Sequence, residues 1–405
     1  MKIFGLSLLL TSTFFVALNA QNQTTQKYIP IELFTNTWCS LCTTYDPPAT
    51  NTYLNNKKSV HLITYYPSVP YPQCPFYQAN PTDNNARKNY YNINSTPRTK
   101  MYGTINGSAN TLLTQNNIDN NYGDNSALRI EVVESGPSTN KSVAVNVKTF
   151  DTTPTGDLRL FVAAVVAHTN FNAQNSLTEH YNTLWQFLSN ENGDAFTPAA
   201  LNGTNSFSYS YNTNNLTHPS FMAGEVYVIA FLQDFNTKEV FNSGSSKDII
   251  LDAVVNDATC GEANGTIDLN VSGGDTGNYN IFWSNGVQTE DLNNLPPGTY
   301  TVVVNDGADA ETYSTLTVGG SNQAIALSGL PAVTSANSPI TLSGTPAGGT
   351  FSGSGVVFSA FNPSIAGVGN HTVTYTVNGC SVDQNIFVFS IVYNFVNYNL
   401  GVVQP

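Results

Sequence analysis

Apolar positions follow two different rhythms along this chain. Before residue 123, short apolar runs alternate with segments of helical spacing; beyond 127 only short runs remain. Ile29 to Phe34 predicts a strand, and Thr43 to Lys58 predicts a helix kinked near its start by Pro47 and Pro48, which lack a backbone N–H. Val60 to Tyr66 predicts a second strand. Asp83 to Tyr91 predicts a helix with Asp83 as N-cap. Ile93 to Pro97 leads into a strand over Lys100 to Ile105, closed by a turn at Asn106-Gly107, and Asn110 to Tyr122 predicts a last helix. Such alternation is an α/β sandwich pattern.

From Ala127 onward the helical spacing fades. Arg129 to Val133, Ser142 to Phe150 and Leu158 to His168 predict strands; the last is almost continuously apolar, which predicts burial on both faces. Gly224 to Asp234 and Glu239 to Asn242 complete an all-β block that ends near Ser246, and Asn170 to Leu216 predicts a long irregular segment with a large loop. Two further blocks, 250–319 and 324–390, carry short β runs broken by Gly, Pro and Asn turns, as in small sandwiches, with Ser321-Asn322 as a linker. The expected plan is multidomain: an α/β domain at 26–123, a β-sandwich at 127–246, two small β modules, and a tail at 391–405 of no assigned role.

Residues 1–20 read as a secretory signal, with Lys2 at the positive end, an apolar segment behind it, and Ala20 before Gln21. No cysteine follows that segment, so a lipid anchor is not expected. No later apolar run reaches the roughly twenty residues that span a bilayer as a helix. The chain is therefore expected to be exported: secreted, on the cell surface, periplasmic, or peripheral to an outer membrane. Such compartments permit disulfides. A net charge of −13 with only 14 Lys plus Arg argues against nucleic acid, which needs clustered cations. Charged residues are scarce at 10%, while aromatic residues at 11% supply β-rich cores rather than disorder. No P-loop, dinucleotide glycine pattern or Ser/His/Asp order stands out, and no cofactor or metal is expected.

Cys39 and Cys42 carry the candidate chemistry. They lie where a strand gives way to a helix, so unpaired N–H groups and the positive end of the helix dipole stabilise a thiolate on Cys39. Cys42, less than one turn on, can attack a mixed disulfide at Cys39 and release the product. Five cysteines cannot all pair in one molecule; Cys74, Cys260 and Cys380 are scattered, and their pairing is open. Alternatives for Cys39 and Cys42 are a static disulfide, or a zinc site completed by His61 or Cys74. Cys74 reads as a third redox thiol or a bystander. Tyr65, Tyr66, Tyr71 and Tyr77 read as groove lining or as packing, His168 and His180 as structural histidines, and Asp306, Asp309 and Glu311 as a solvated turn rather than a calcium loop.

The first block resembles the thioredoxin fold. Trp38 to Cys42 after a strand is one element; Thr96-Pro97 ahead of another strand is the second, where such proteins place a cis-proline facing the cysteines. The resemblance implies that the Thr96 backbone pairs with an extended substrate beside an open Cys39 sulfur, with Pro97 and Trp38 as further substrate-binding residues. It also implies a buried acid beneath the cysteines, but Leu33 occupies that position, and the adjacent Glu32 points to the opposite face.

More narrowly, the first two blocks resemble the Omp-twenty-eight-related outer-membrane family of Bacteroidetes, through Ile31 to Cys39 (IELFTNTWC), Arg87 to Tyr91 ahead of Thr96-Pro97, and Val226 to Val240 (VYVIAFLQDFNTKEV). The third block resembles the SprB-type repeat of gliding adhesins, through Cys260 to Gly274 (CGEANGTIDLNVSGG), Trp283 to Gly286, Leu295 to Tyr300 and Asn305 to Gly307. Such repeats often carry a second cysteine near their end. Residues 306–310 have none, so Cys260 is expected to lack an intradomain partner. The fourth block is similar to bacterial immunoglobulin-like modules, through Leu342 to Phe351, Phe361 to Pro363 and His371 to Tyr375.

Two functions are expected. One is thiol–disulfide exchange on exported protein or peptide substrates, with Cys39 and Cys42 as catalytic residues. The other is a cell-surface adhesion or binding protein, with surface ligands as partners, in which the thioredoxin-like domain is only a scaffold.

Overall fold

Ile29–Phe34 is a central strand, paired parallel with Val60–Tyr65 and antiparallel with Arg98–Met101, and is buried along its whole length because both its faces are covered. The computed structural model describes residues 24–121, 124–221, 225–260, 262–274, 277–307, 310–320, 324–334, 338–377 and 379–390. The expected secretory segment, the Ser321-Asn322 linker and the 391–405 tail lie outside these. Contacts gather the chain into two units. Of the described residues, one unit holds those up to Asp252 with those of 270–290 and 300–316; the other holds those of 253–269 and 291–299 and those from Thr317 on.

The first unit is built on one mixed sheet. Its strand order is Val240–Ser245, Val226–Asp234, Leu158–Asn170, Glu179–Phe187, Val60–Tyr65, Ile29–Phe34, Arg98–Met101 and Ile105–Gly107. The segments expected as separate domains, 26–123 and 127–246, thus share a sheet. They meet where Glu179–Phe187 pairs parallel with Val60–Tyr65 at Thr183 and Thr64. That joining strand falls inside the segment expected to be irregular. Its sequence, EHYNTLWQF, has no apolar alternation, because residues on both of its faces are covered. Thr204–Asn212, from the same segment, forms a second antiparallel sheet with Asn140–Thr149 and Leu128–Ser135.

Leu158–Asn170 is buried on both faces, as its apolar run predicts. Leu160, Val162, Ala164 and Val166 face Val132, Val143, Val145 and Val147 of the second sheet; Phe161, Ala163 and Val165 share a different core with Phe34, Ile63 and Tyr65. On the remaining face of the first strands, Ile29, Ile31, Leu33 and Leu62 pack under Ala49 and Tyr53 of the helix Cys42–Leu54.

Several local expectations change. The helix Pro81–Tyr90 is capped by Asn80, whose side chain accepts from the Asp83 N–H, with Pro81 preset for the first turn; Asp83 is not the cap. The expected strand over Lys100 to Ile105 is a hairpin that turns at Tyr102-Gly103, both left-handed, at φ 51° and 74°. A Cβ at Gly103 would lie 1.9 Å from the Lys238 carbonyl oxygen, so the turn needs glycine. Asn106-Gly107 belongs to the second strand, and the last helix splits into Ala109–Leu112 and Gln115–Asn121.

One polar cluster crosses the core. Arg87, 1% exposed, holds Glu32 through Nε at 2.9 Å and Nη2 at 2.6 Å, and its Nη1 donates to Gln233 at 3.0 Å. Tyr91 donates to Glu32 at 2.6 Å, and the guanidinium lies over the rings of Phe161 and Tyr91. The charge pair and its partners come from three elements, the helix Pro81–Tyr90 with its cap Tyr91 and the strands carrying Glu32 and Gln233, so the cluster locks that helix to both strands.

In the second unit, Leu330, Leu342, Phe361, Val373, Ile386 and Val388 form the core beneath the hairpin Gly369–Val377 and Cys380–Val388. Cys260 and Cys380 form a disulfide. Cys260 lacks a partner inside its own block, as expected, and finds one in the next.

Arg87→Met leaves the Glu32 carboxylate buried without its cation. The expected loss is about 3–5 kcal/mol of stability, read as a lowered denaturation midpoint in urea; a change below about 1 kcal/mol would contradict this reading of the cluster.

Candidate functional site

The loop that presents Cys39 is set by Asn36. Its side chain donates to the carbonyls of Pro67 at 3.1 Å and Tyr71 at 3.0 Å and accepts from the Trp38 N–H at 3.0 Å, while its own carbonyl accepts from the Cys39 N–H at 3.1 Å. The helix then starts at Cys42. Leu41, at its N-cap, offers no side-chain hydrogen bond; the Cys42 N–H donates to Cys39 Sγ at 3.1 Å instead. The sulfur is therefore the acceptor at the positive end of the helix. Cys39 and Cys42 are joined as a disulfide with Cα atoms 5.4 Å apart.

Thr96-Pro97 is cis, and the Thr96 carbonyl oxygen lies 3.6 Å from Cys39 Sγ. Five candidate residues therefore converge: Cys39, Cys42, Thr96 and Pro97 meet at the disulfide, and Trp38 stands beside Cys39 in the chain, 38% exposed and with its ring 6.3 Å from that of Tyr71.

The openness expected of the Cys39 sulfur is corrected. Cys39 is 4% exposed and Cys42 wholly buried. Part of the cover comes from the turn between Leu158–Asn170 and Glu179–Phe187. There Asn175 donates its backbone N–H to the Thr37 carbonyl at 2.9 Å and its side chain to the Cys39 carbonyl at 3.0 Å. This strap belongs to a segment 136 residues away, so nothing near the cysteines announces it.

Asp46 was not foreseen. It lies one turn beyond Cys42 on the same helix, inside the protein; Thr35 donates to its Oδ2, and its Oδ1 has no hydrogen-bond partner. Burial pushes the carboxyl up to about 7, against the downward pull of the Thr35 hydrogen bond. With Leu33 on the strand, a buried acid near the cysteines comes instead from the helix. The only sequence signal is its spacing: position i+4 from Cys42 shares that residue's helix face.

The other candidates have structural partners. Cys74 is a free, fully buried thiol that accepts a hydrogen bond from Thr37 at 3.1 Å and packs in the core with Tyr66 and Phe76. His61 is held by Ser243 at 2.9 Å and Asp248 at 3.0 Å. His180 donates through Nε2 to the Phe171 carbonyl and accepts at Nδ1 from the Tyr66 hydroxyl; burial lowers its pKa to about 4, which leaves it neutral. His168 pairs with Glu179. Tyr65 and Tyr66 are core residues, whereas Tyr71 stays exposed. Asp306 accepts from the Ala310 N–H at 3.2 Å, and Glu311 pairs with Lys58 at 2.8 Å.

The Asp46 carboxyl makes stability depend on pH. Between its ordinary value of 3.8 and about 7 the unfolded chain ionises there while the folded chain keeps the proton. Stability is thus fully present below pH 3.8 and falls as pH rises through about 7. Asp46→Asn keeps an acceptor for Thr35 and removes the titration. It should therefore gain on the wild type by several kcal/mol, on the order of 4, between acid and neutral pH, as read from urea unfolding across that range. Parallel pH profiles for the two proteins would refute the assignment.

Residues 253–288 match the family model of the SprB repeat. No curated protein matches the chain. Among solved structures, HBP35 of Porphyromonas gingivalis is similar at 16% identity, covering 73% of this chain and 99% of that one, with a TM-score of 0.45. A domain of the outer membrane lipoprotein Omp28 from the same organism, at 16% identity, covers 30% of this chain and 86% of its own with a TM-score of 0.21. Extracellular domains 3–5 of Drosophila OTK, at 12% identity, cover 66% and 98% with a TM-score of 0.22. At these scores the structural likenesses carry no argument about this chain.

Proposed function

We propose that the chain is an exported surface protein whose N-terminal segment is thioredoxin-like and exchanges disulfides with exported protein or peptide thiols. The observation that carries this reading is the Thr96 carbonyl oxygen lying 3.6 Å from Cys39 Sγ, beside the Cys39–Cys42 disulfide at the start of the helix. The strand order around Ile29–Phe34, with a helix rising from the cysteine pair between two parallel strands, supports the thioredoxin-like assignment. The SprB repeat match at 253–288 supports export and a surface location.

The exchange follows from the geometry. In the dithiol form the Cys42 N–H and the helix end hold Cys39 as a thiolate. That thiolate attacks one sulfur of a substrate disulfide; the substrate S–S bond breaks and its other sulfur leaves as a thiolate. Where the Asp46 carboxyl is ionised, as pH rises through about 7, the Cys42 thiol gives its proton to that carboxylate, whose Oδ1 has no other partner, and attacks Cys39 Sγ. The second substrate thiolate departs, and the Cys39–Cys42 disulfide seen here is formed while the substrate gains two electrons. The reverse sequence oxidises a substrate dithiol. An extended substrate runs along the Thr96 backbone and Pro97, with Trp38 as a side wall.

A reduced Cys42→Ala chain, mixed with a disulfide-bonded peptide, should accumulate a covalent adduct on Cys39 that is lost in a Cys39→Ala/Cys42→Ala chain. Absence of both the adduct and any dithiol-driven reduction of a test disulfide by the wild type would end the catalytic reading.

The 4% exposure of Cys39 and the strap at Asn175 favour a second reading, an adhesion or binding protein with an inert disulfide in its scaffold. The two readings separate on one comparison: exchange requires Cys39–Cys42 to be reduced by dithiothreitol in the native chain much faster than Cys260–Cys380. Equal, slow reduction of both bonds supports the scaffold.

A further inference from the structure

We propose that one end of the second unit, centred on Phe358, inserts into the interfacial layer of a neutral phospholipid bilayer. Val356–Val357 and Ala360–Phe361 pair as a hairpin with Phe358 and Ser359 at its tip. Phe358 is 93% exposed and stands at φ 53°, a left-handed conformation that bulky residues adopt only at a steric cost. A two-residue turn with a left-handed first position ordinarily carries glycine or asparagine there. Folding alone would favour either over a projecting aromatic ring.

The base of this two-residue-long hairpin has apolar neighbours. Gly355, just ahead of the hairpin, lies so close to Ala366 that a Cβ on it would sit 2.5 Å from that side chain, and the Asn362 N–H donates to the Gly355 carbonyl at 2.7 Å. The short helix Pro363–Ala366 is thereby held against the hairpin, and on either side of Ala366 stand Ile365, 61% exposed, and Val368, 67% exposed. Val357 adds a further 43% exposed side chain.

Charge and area select the occupant. No Asp, Glu, Lys or Arg occurs between Glu311 and Asp383. Asp383 pairs with Thr374, five positions along the strand from Gly369, or about 17 Å at the rise of a strand. The segment that forms the tip therefore brings no Asp, Glu, Lys or Arg of its own into a headgroup layer and offers no cation for anionic lipid. Four protruding side chains fall well short of the ~800 Å² that each partner buries in a stable protein complex. A convex aromatic and aliphatic tip flanked by serine and asparagine suits the bilayer interface, where aromatic rings collect.

The full chain is mixed with phosphatidylcholine vesicles at millimolar lipid and the bound fraction measured by sedimentation. The expected result is binding that persists in 0.5 M salt and falls about tenfold or more in Phe358→Ser/Ile365→Ser. Far-UV circular dichroism and an intact Cys260–Cys380 bond check that the variant is folded. Phe358→Trp should bind as the wild type does, with tip fluorescence that shifts to the blue and is quenched by brominated acyl chains. No binding by the wild type, or equal binding by the double variant, overturns the proposal. So does lipid-free self-association that the double variant abolishes, which assigns the tip to a second copy of the chain.

Discussion

The Arg87 guanidinium and the Glu32 carboxylate meet where neither can reach water, and the first unit is arranged around that necessity. A buried charge without its partner is too costly to keep. Helix Pro81–Tyr90, the strand of Glu32 and the strand of Gln233 must therefore stay together. Gln233 comes from beyond residue 127, so the same contact that satisfies Arg87 also binds the two halves of this unit. The parallel pairing of Thr183 with Thr64 continues the sheet across the same join.

Strand geometry then divides the labour between two faces. Glu32 and Phe34 point toward the core with Arg87 and Tyr91; Ile31 and Leu33 point under the helix that carries Cys42. Successive residues of a strand cannot share a side, so the Glu32 carboxylate is unavailable to the cysteines. A buried acid on the cysteine side has to come from the helix, and Asp46 is placed there, one turn along from Cys42. Its lone hydrogen bond from Thr35 leaves an oxygen without a partner in a buried setting, an arrangement that favours the protonated form.

The disulfide is held from three directions. Asn36 shapes its loop, the Thr96 carbonyl lies against Cys39, and Asn175 closes over the loop from the turn after Leu158–Asn170. The second is the contact on which the proposed exchange rests, and the third restricts it, since the Cys39 sulfur is almost covered.

Much of this was legible in the residues. The runs at Ile29 to Phe34, Val60 to Tyr66 and Leu158 to His168 are legible because these strands are buried on both faces, which leaves a mostly apolar record broken only by partnered polar residues such as Glu32 and His61. The cysteine spacing and the Thr96-Pro97 pair named four residues that the structure brings together. What escaped were features whose cause lies far along the chain. Glu179–Phe187 reads as irregular because its polar residues are satisfied by distant partners; Asn182, for example, donates to the Tyr53 hydroxyl at 2.6 Å. The cover by Asn175, the burial of Asp46 and the pairing of Cys260 with Cys380 each join residues that no local pattern connects. Local periodicity records how each segment meets its own surroundings; which surroundings those are is decided only when the chain closes on itself.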